Sequence, residues 1–243
     1  MKTKVLLSLS AAALVNAAQL SAAPQISSGA YAGVAAGVSV LGGKNGFTYS
    51  NDSVAAGNQV IQNQANFSLS KTSPALTMFG GYGMKVSDFW AAAELFYQLD
   101  RLRDKQNPVF GANEPTSLKT SSAGAYGAAV HLGFLPSENC VAYAILGIEA
   151  RRFKVQFSDP VDTNIAAKIR KNYTSIAFTP GFGVRFALTK KLSLRTEYKY
   201  AMHRKKTMSS SVHNANPPGY DDMVTLKHQP KVQTFSVGVV YNF

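Results

Sequence analysis

Cysteine and long apolar runs are nearly absent from this sequence, and both shortages narrow the possible folds. The single cysteine, Cys140, has no partner for an internal disulfide bond, so disulfides cannot hold the fold together. After residue 23, no segment approaches the ~18 uninterrupted apolar residues that a membrane helix needs. If the chain lies in a membrane, it must therefore cross as β-strands.

Acidic residues are also scarce, with 13 against 25 basic ones. Residues 1–23 have a charged head, an apolar run and then Ala- and Ser-rich sequence, which is the pattern of a secretory signal peptide. Without Lys2 and Lys4 of that segment the net charge is 23 − 13 = +10. Such an excess of positive charge is typical of proteins that bind anionic lipid or nucleic acid, and it can also serve solubility alone. The sequence contains no motif of a known nucleic-acid-binding fold, so we expect no nucleic-acid partner.

Apolar residues alternate with small or polar ones in many parts of the chain, with a period of two residues. The pattern is clearest in the last stretch. From Val232 to Phe243 one face carries large apolar side chains and the other carries small or polar ones. The large face consists of Phe235, Val237, Val239, Tyr241 and Phe243. A strand of this kind suits a transmembrane β-barrel, in which lipid lies outside and a packed or wet lumen lies inside.

The same alternation predicts eight antiparallel strands, joined alternately by short turns and long surface loops. The predicted strands are Ala30–Leu41, Phe67–Met84, Phe89–Asp100, Ala123–Leu135, Val141–Arg151, Tyr173–Leu188, Leu192–Met202 and Val232–Phe243. The predicted loops are Gly42–Asn66, Arg101–Ser121, Arg152–Asn172 and His203–Lys231. Short periplasmic turns and longer extracellular loops are typical of bacterial outer-membrane barrels. We therefore predict one all-β domain over residues 24–243, an eight-stranded antiparallel up-and-down barrel in the outer membrane.

An alternative fold and one proline bear on this prediction. A soluble eight-stranded barrel of lipocalin type is the alternative, but it would need large apolar residues inside, whereas here the inward faces are rich in Gly, Ala and charge. Pro180 lies within a predicted strand, and a closed barrel has no edge at which a proline is harmless. We expect a β-bulge at Pro180.

Charged residues on the narrow faces predict a polar layer inside the barrel. Four of them fall at one height when counted from the periplasmic strand ends, because a strand advances ~3.3 Å per residue. They are Glu94, His131, Arg185 and Arg195. We expect Glu94 to pair with Arg195 or Arg185, and Glu197 to complete a hydrogen-bonded plug, because buried charges are costly unless paired. Alternatively, these charges merely lie in a wet lumen.

The predicted loops carry most of the basic excess. The second, third and fourth loops have net charges of +2, +3 and +3, which is eight of the ten net charges. We expect the basic residues nearest the strand ends to contact lipopolysaccharide phosphates. These residues are Arg152, Lys154, Arg204, Lys205 and Lys206. The alternative is a charged surface that serves solubility and has no dedicated ligand.

The last predicted loop contains the residues that could suggest a metal or catalytic site. The spacing of His203, His213 and His228 fits no metal-ligand pattern, even with nearby Asp221 and Asp222, so we expect no metal and no cofactor. Ser211 and His213 could serve a lipid hydrolase, but we find no acid at a spacing that would orient the histidine. We therefore expect no enzymatic activity.

Six short stretches resemble successive strands of the transmembrane domain of outer membrane protein A and of opacity-type surface proteins. They are F-G-G-Y-G-M at 79–84, A-A-E-L-F-Y at 92–97, A-V-H-L-G-F-L-P at 129–136, A-Y-A-I-L-G at 142–147, F-G-V-R-F-A-L-T at 182–189 and L-R-T-E-Y-K-Y at 194–200. The resemblance implies that ion pairs interrupt a water path in the lumen, with Glu94, Arg195 and Glu197 at family positions. His131 and Arg185 stand where the family has Lys and Glu, so its gating behaviour does not carry over.

The resemblance also implies a function and partners. It implies that the closing strand, ending in Phe243, is recognised by the barrel-assembly machinery. We expect a monomeric, non-enzymatic structural and surface protein that contacts outer-membrane lipids, lipopolysaccharide or a host-surface ligand, with a role in adhesion. The first alternative is a porin-like channel for small solutes. The second is a hydrolase that modifies lipid A.

Overall fold

The computed structural model describes residues 25–51, 62–106, 109–110, 114–115, 117–158, 168–214 and 220–243, and nearly all of them are in β-strands. The predicted signal peptide lies outside these residues. The strands are β1 (Gly29–Asn51), β2 (Gln62–Val86), β3 (Phe89–Asp100), β4 (Leu102–Gln106), β5 (Val109–Phe110), β6 (Glu114–Pro115), β7 (Ser117–Ser137), β8 (Cys140–Ser158), β9 (Lys168–Ala187), β10 (Leu192–His203), β11 (Lys206–Asn214) and β12 (Tyr220–Asn242). Within the described part of the chain, no helix is long and apolar enough to cross a bilayer.

Eight strands form a closed antiparallel ring in the order β1-β2-β3-β7-β8-β9-β10-β12. The ring closes because β1 pairs with β12 over its whole length, from Tyr31 opposite Asn242 to Asn51 opposite Asp222. Short β4 and β11 continue β3 and β10 after a break of one or two residues. The predicted eight-stranded up-and-down barrel is confirmed.

The lower part of the ring, towards the short turns, has large apolar side chains outside, and inside it charged side chains lie among small and aromatic ones. Leu95 is 70% exposed and Phe182 is 65% exposed, whereas Glu94 and Arg195 are each only 3% exposed. The outward side chains form an apolar belt on all eight strands, as the alternation predicts. A lipocalin-type barrel would have the opposite arrangement, so that alternative is wrong. As in outer-membrane barrels generally, we place the short turns in the periplasm and the long hairpins outside the cell.

The four predicted long loops are wrong in large part, because the strands continue well beyond the belt. β1 runs on to Asn51, β8 runs on to Ser158, and β12 begins at Tyr220. An antiparallel hairpin gains backbone hydrogen bonds for as long as both strands stay extended, whatever side chains they carry. The sequence did not predict this continuation of the strands, because polar residues on the water-facing side are also typical of loops.

Above the belt the ring opens along two seams and becomes two four-stranded sheets. Pairing of β2 with β3 ends at Ala75 and Asp100, and pairing of β9 with β10 ends at Ala177 and His203. Beyond these points β11-β12-β1-β2 form one sheet and β4-β7-β8-β9 form the other. The two sheets pack through a buried apolar cluster, which we call the outer core. It consists of Leu41, Leu69, Leu102, Phe153, Ala177, Ala201 and Val232, with Tyr173 packed against it.

The expected bulge at Pro180 is wrong. Pro180 lies opposite Leu146 in an uninterrupted β8–β9 register, and towards β10 the paired register resumes beyond it without an extra residue. A proline lacks one N–H, so it removes a single ladder bond and need not insert a residue. Register shifts occur in β7 instead, one of them between Ser122 and Ala125, where Gly124 has a φ of 109°.

Candidate functional site

A buried ion triad occupies the lower lumen. Arg195 donates two hydrogen bonds to Glu94, from Nη1 to Oε2 at 2.5 Å and from Nη2 to Oε1 at 3.2 Å. Its Nη2 also lies 3.2 Å from Oε2 of Glu197. All three side chains are almost fully buried. A two-pronged guanidinium–carboxylate pair of this kind is among the stronger polar contacts in proteins, and it joins β3 to β10 across the barrel.

Two tyrosines donate hydrogen bonds to the carboxylates of the triad. The hydroxyl of Tyr31 donates to Glu94 at 3.1 Å, and the hydroxyl of Tyr143 donates to Glu197 at 2.9 Å. Glycine makes room for each ring. A Cβ atom at Gly81 would lie 2.9 Å from the Tyr31 hydroxyl, and a Cβ atom at Gly183 would lie 2.7 Å from the Tyr143 ring. The small inward residues therefore admit the aromatic side chains that cover the triad.

The other two residues of the predicted polar layer lie beside the triad among aromatic rings. His131 stacks on Tyr143, with ring centroids 5.0 Å apart and planes inclined by 13°. The guanidinium of Arg185 lies 5.1 Å from the Tyr31 ring centre and donates to Asn242 at 2.5 Å. The structure thus joins three of the five predicted residues into one ion network and places His131 and Arg185 next to it without a salt bridge.

A second charged layer, which sequence reasoning did not group, lies above the first. Arg151 contacts both carboxylate oxygens of Asp100, at 2.7 and 2.9 Å, and its Nε donates to Glu149 at 3.2 Å. Gln98 donates to Asp100 at 2.7 Å and to Ser39 at 3.0 Å. The alternation of the sequence puts Asp100, Glu149 and Arg151 on the inward faces of their strands. Only the register between strands could show that they meet.

The buried charges of the described lumen balance. The acidic residues are Glu94, Asp100, Glu149 and Glu197, and the basic ones are Arg151, Arg185, Arg195 and Lys199, so the sum of four negative and four positive charges is zero. A neutral interior, in which six of the eight charges lie in ion pairs, limits the cost of removing ions from water. The net positive charge of the protein therefore lies outside the lumen.

The outer core closes the lumen above the second charged layer. Phe153 lies at its centre, with its ring 5.0 Å from His203 and 5.7 Å from His228. The hydroxyl of Tyr173 and Nδ1 of His228 are hydrogen-bonded, which links the two sheets. His228 lies above the belt, and its burial, with nearby His203, lowers its pKa to about 4. His203 and His228 are therefore buried strand residues, and their placement in a loop is wrong.

The five residues predicted to contact phosphates fall into two separate groups. Arg152 and Lys154 lie on the outer face of β8. Arg204, Lys205 and Lys206 lie exposed at the break between β10 and β11. Strand β9 lies between β8 and β10, and the seam between β9 and β10 opens at Ala177 and His203, so the two groups belong to different upper sheets.

Ser211 and His213, the residues considered for catalysis, lie on β11 in a stretch where the described structure is limited to the backbone. The register pairs His213 with Asp221 and Ser211 with Met223. This pairing concerns the backbone alone, so the expectation that no acid orients His213 stays a prediction.

A closed ring of antiparallel strands with an apolar outer belt and a charged, paired interior defines a transmembrane β-barrel. Residues 7–243 match the outer membrane protein beta-barrel domain, and the chain belongs to this family. The protein is therefore located in the bacterial outer membrane, as the alternation predicts.

Solved barrels resemble this chain in fold. Ail of Yersinia pestis, in complex with the heparin analogue sucrose octasulfate, is 13% identical, with 88% of this chain and 99% of that chain covered and a TM-score of 0.42. Neisserial surface protein A is 14% identical, with 85% and 97% covered and a TM-score of 0.38. The protease OmpT of Escherichia coli is 10% identical, with 87% and 97% covered and a TM-score of 0.44. These likenesses carry no argument about function. No curated protein sequence matches the chain.

Proposed function

We propose that this protein is a non-catalytic surface protein, in which a closed barrel anchors two tall extracellular sheets. The observation that carries this proposal is the continuation of the strands above the belt into two sheets that pack on their own apolar core. A channel has no need of such a structure, whereas a protein that presents surfaces to lipopolysaccharide, host surfaces or other cells does.

The contents of the lumen favour an anchor over a channel. The ion triad, the second charged layer and the outer core lie one above another. The triad joins opposite strands β3 and β10, the second layer joins β3 to β8 across one intervening strand, and the outer core packs side chains from both upper sheets. A solute or a file of water would have to separate at least one paired charge in each polar layer. The small-solute channel is accordingly the weaker candidate.

The exposed charge suggests what the sheets contact. The outer faces carry many basic residues, including the two groups predicted to bind phosphates, Arg152 with Lys154 and Arg204 to Lys206. Anionic partners such as lipopolysaccharide or a polyanionic host ligand would be attracted to these faces.

At the periplasmic end of the barrel, Phe243 is 78% exposed and accessible to the assembly machinery. We expect the folded barrel to act as a monomer.

Two measurements test this function. Purified protein in planar bilayers should give no stepwise conductance, whereas stable open channels would favour the solute channel. Cells that express the protein should bind lipopolysaccharide-coated or host-cell surfaces more than cells expressing a variant with residues 207–227 replaced by a short Gly-Ser turn. Equal binding, or turnover of lipid A by the intact protein, would overturn the proposed function. A Glu138→Ala variant, altered in a periplasmic turn, is the matched control.

A further inference from the structure

We propose that the outer face of β4-β7-β8-β9, together with the membrane-facing surface beneath it, binds one phosphorylated lipid of the outer leaflet, the lipid A part of lipopolysaccharide. This inference rests on the proposed location of the sheets outside the cell. It goes further by naming one face, its ligand and the way in which that ligand is held.

Strand register arranges the cations of this face in neighbouring transverse rows. One row runs Arg103, Ser121, Lys154, Asn172 across the four strands, and the row above it runs Lys105, Lys119, Gln156, Arg170. Below them, Arg101 and Arg152 flank Ala123. These rows hold seven basic side chains and no acidic one: Arg101, Arg103, Lys105, Lys119, Arg152, Lys154 and Arg170. The one acid on β4 with a described side chain, Asp104, hydrogen-bonds Gln106 and belongs to the opposite face.

Such a face is unfavourable without a counter-ion. Like charges on adjacent strands repel one another, and the neighbouring rows offer no carboxylate to offset them. Arg101, Arg103, Arg152 and Lys154 line one groove of about 560 Å³, with Ser121, Ser122 and Asn172 among its other lining residues. Three guanidinium groups and an ammonium around one groove suit phosphate, which arginine can bind through two parallel hydrogen bonds.

An apolar furrow lies on the membrane-facing side directly below this groove. Its floor consists of small residues, namely Gly80, Ala93, Ala128, Gly147 and Ala150. Bulky neighbours such as Leu95 and Ile148 form the walls. Two contiguous depressions of about 460 and 660 Å³ share Leu95, Ala128 and Ile148, so the furrow continues from strand to strand. A flexible acyl chain fits a furrow of this kind.

The two parts are aligned for a single ligand. Ala150 lines the top of the furrow and Arg152, two residues further on the same face of β8, lines the groove, so the two are only ~7 Å apart along the strand. A lipid has the same order of parts, with an anionic headgroup at the membrane surface and a chain below it. A soluble polyanion would use the groove and leave the furrow to bulk lipid.

The test measures retention of bisphosphorylated lipid A by the purified full-length protein, using native mass spectrometry from detergent micelles. In the headgroup arm, Arg101→Gln with Arg152→Gln should reduce retention at least tenfold. The control, Arg204→Gln with Lys205→Gln, removes the same charge from the other basic group and should leave retention unchanged. Equal losses in both pairs would show that only net charge matters, which would overturn the inference.

The chain arm separates a lipid from free phosphate. Ala128→Leu fills the furrow from the lipid side and should reduce retention several-fold, whereas Ala36→Leu on the exposed face of β1 should not. Inorganic phosphate at matched ionic strength should compete poorly. Normal retention by Ala128→Leu, or full displacement by phosphate, would overturn the inference. Such a failure would leave the conductance and cell-binding results of the proposed function untouched. Unchanged heat-modified migration on gels verifies that each variant is folded.

Discussion

The two halves of this barrel use the same strands with opposite chemistry. In the belt the interior holds paired charges, such as Glu94 with Arg195, and the exterior is apolar, with Leu95 70% exposed. Above the belt the interior is mainly apolar, with Phe153 and Leu226 fully buried beside His203 and His228, and the exterior is basic. Burial follows the medium that surrounds each half, because hydrocarbon cannot hydrate a charge and water does not favour exposed apolar surface.

The reversal implies different sources of stability. The lower half depends on its hydrogen-bonded ion network, because a charge that loses its partner there is buried away from water. The upper half depends on packing, as a soluble β-sandwich does. A substitution that removes a buried ion partner or puts a charge on the outer surface should therefore lower the free energy of unfolding most in the lower half.

The largest effect is expected from Glu94→Ala in the lower half. The change leaves Arg195 with only Glu197 and deprives Tyr31 of its acceptor, so the free energy of unfolding should fall by about 3–5 kcal/mol. Urea unfolding in lipid vesicles measures this loss. Glu138→Ala, at the exposed periplasmic turn, should change it by less than about 0.5 kcal/mol. Equal stability of both variants would argue for a wet lumen.

A charged residue introduced on the outer surface compares the two halves more directly. Val130 is outward in the belt and 46% exposed, so Val130→Arg should cost about 2–4 kcal/mol near the bilayer centre. Ser209 is exposed above the belt, where Ser209→Arg meets water and should be nearly neutral. The same unfolding measurement applies. A cost for Ser209→Arg comparable to that for Val130→Arg would mean that the belt extends further up than the apolar residues indicate.

Acid should loosen the upper half. The pKa of His228 is lowered to about 4, against an ordinary value of 6.5, so the opened state binds the proton more readily. Stability from this group is complete above pH 6.5 and is lost as the pH falls towards 4, by up to about 3 kcal/mol. Amide hydrogen exchange in β11 and in β12 around Leu226 should accelerate across this range. In His228→Gln the acceleration should be absent, whereas its persistence would locate the titrating group elsewhere.

The smallest effect concerns the boundary between the halves. Gly124 has a φ of 109°, and a Cβ atom there would lie 2.6 Å from the carbonyl oxygen of Gln98. Gly124→Ala should therefore cost about 1–2 kcal/mol. Gly42→Ala is the control, because the nearest atom to a Cβ at Gly42 is 3.9 Å away. Equal thermal stability of the two variants would show that this register shift is unstrained.

The sequence predicted the lower half well and the upper half poorly, for one physical reason. Large outward residues such as Leu146 and Ile148 give a strong period-two signal because lipid selects them. In the upper half the signal is the modest F-K-V-Q-F of residues 153–157, whose two polar residues, Lys154 and Gln156, are typical of a loop. The second charged layer was missed because the contact of Asp100 with Arg151 depends on the register of three neighbouring strands, which alternation alone does not supply.

The account as a whole depends on where hydrocarbon ends and water begins along a strand. Spin labels at Ala144, Ile148, Arg152 and Gln156 of β8, in a Cys140→Ser background and in lipid nanodiscs, measure this through collisions with oxygen and with a water-soluble nickel complex. We expect positions 144 and 148 to be accessible mainly to oxygen and positions 152 and 156 mainly to nickel. Nickel access at 144, or a lipid signature at 156, would contradict the reversal between the two halves.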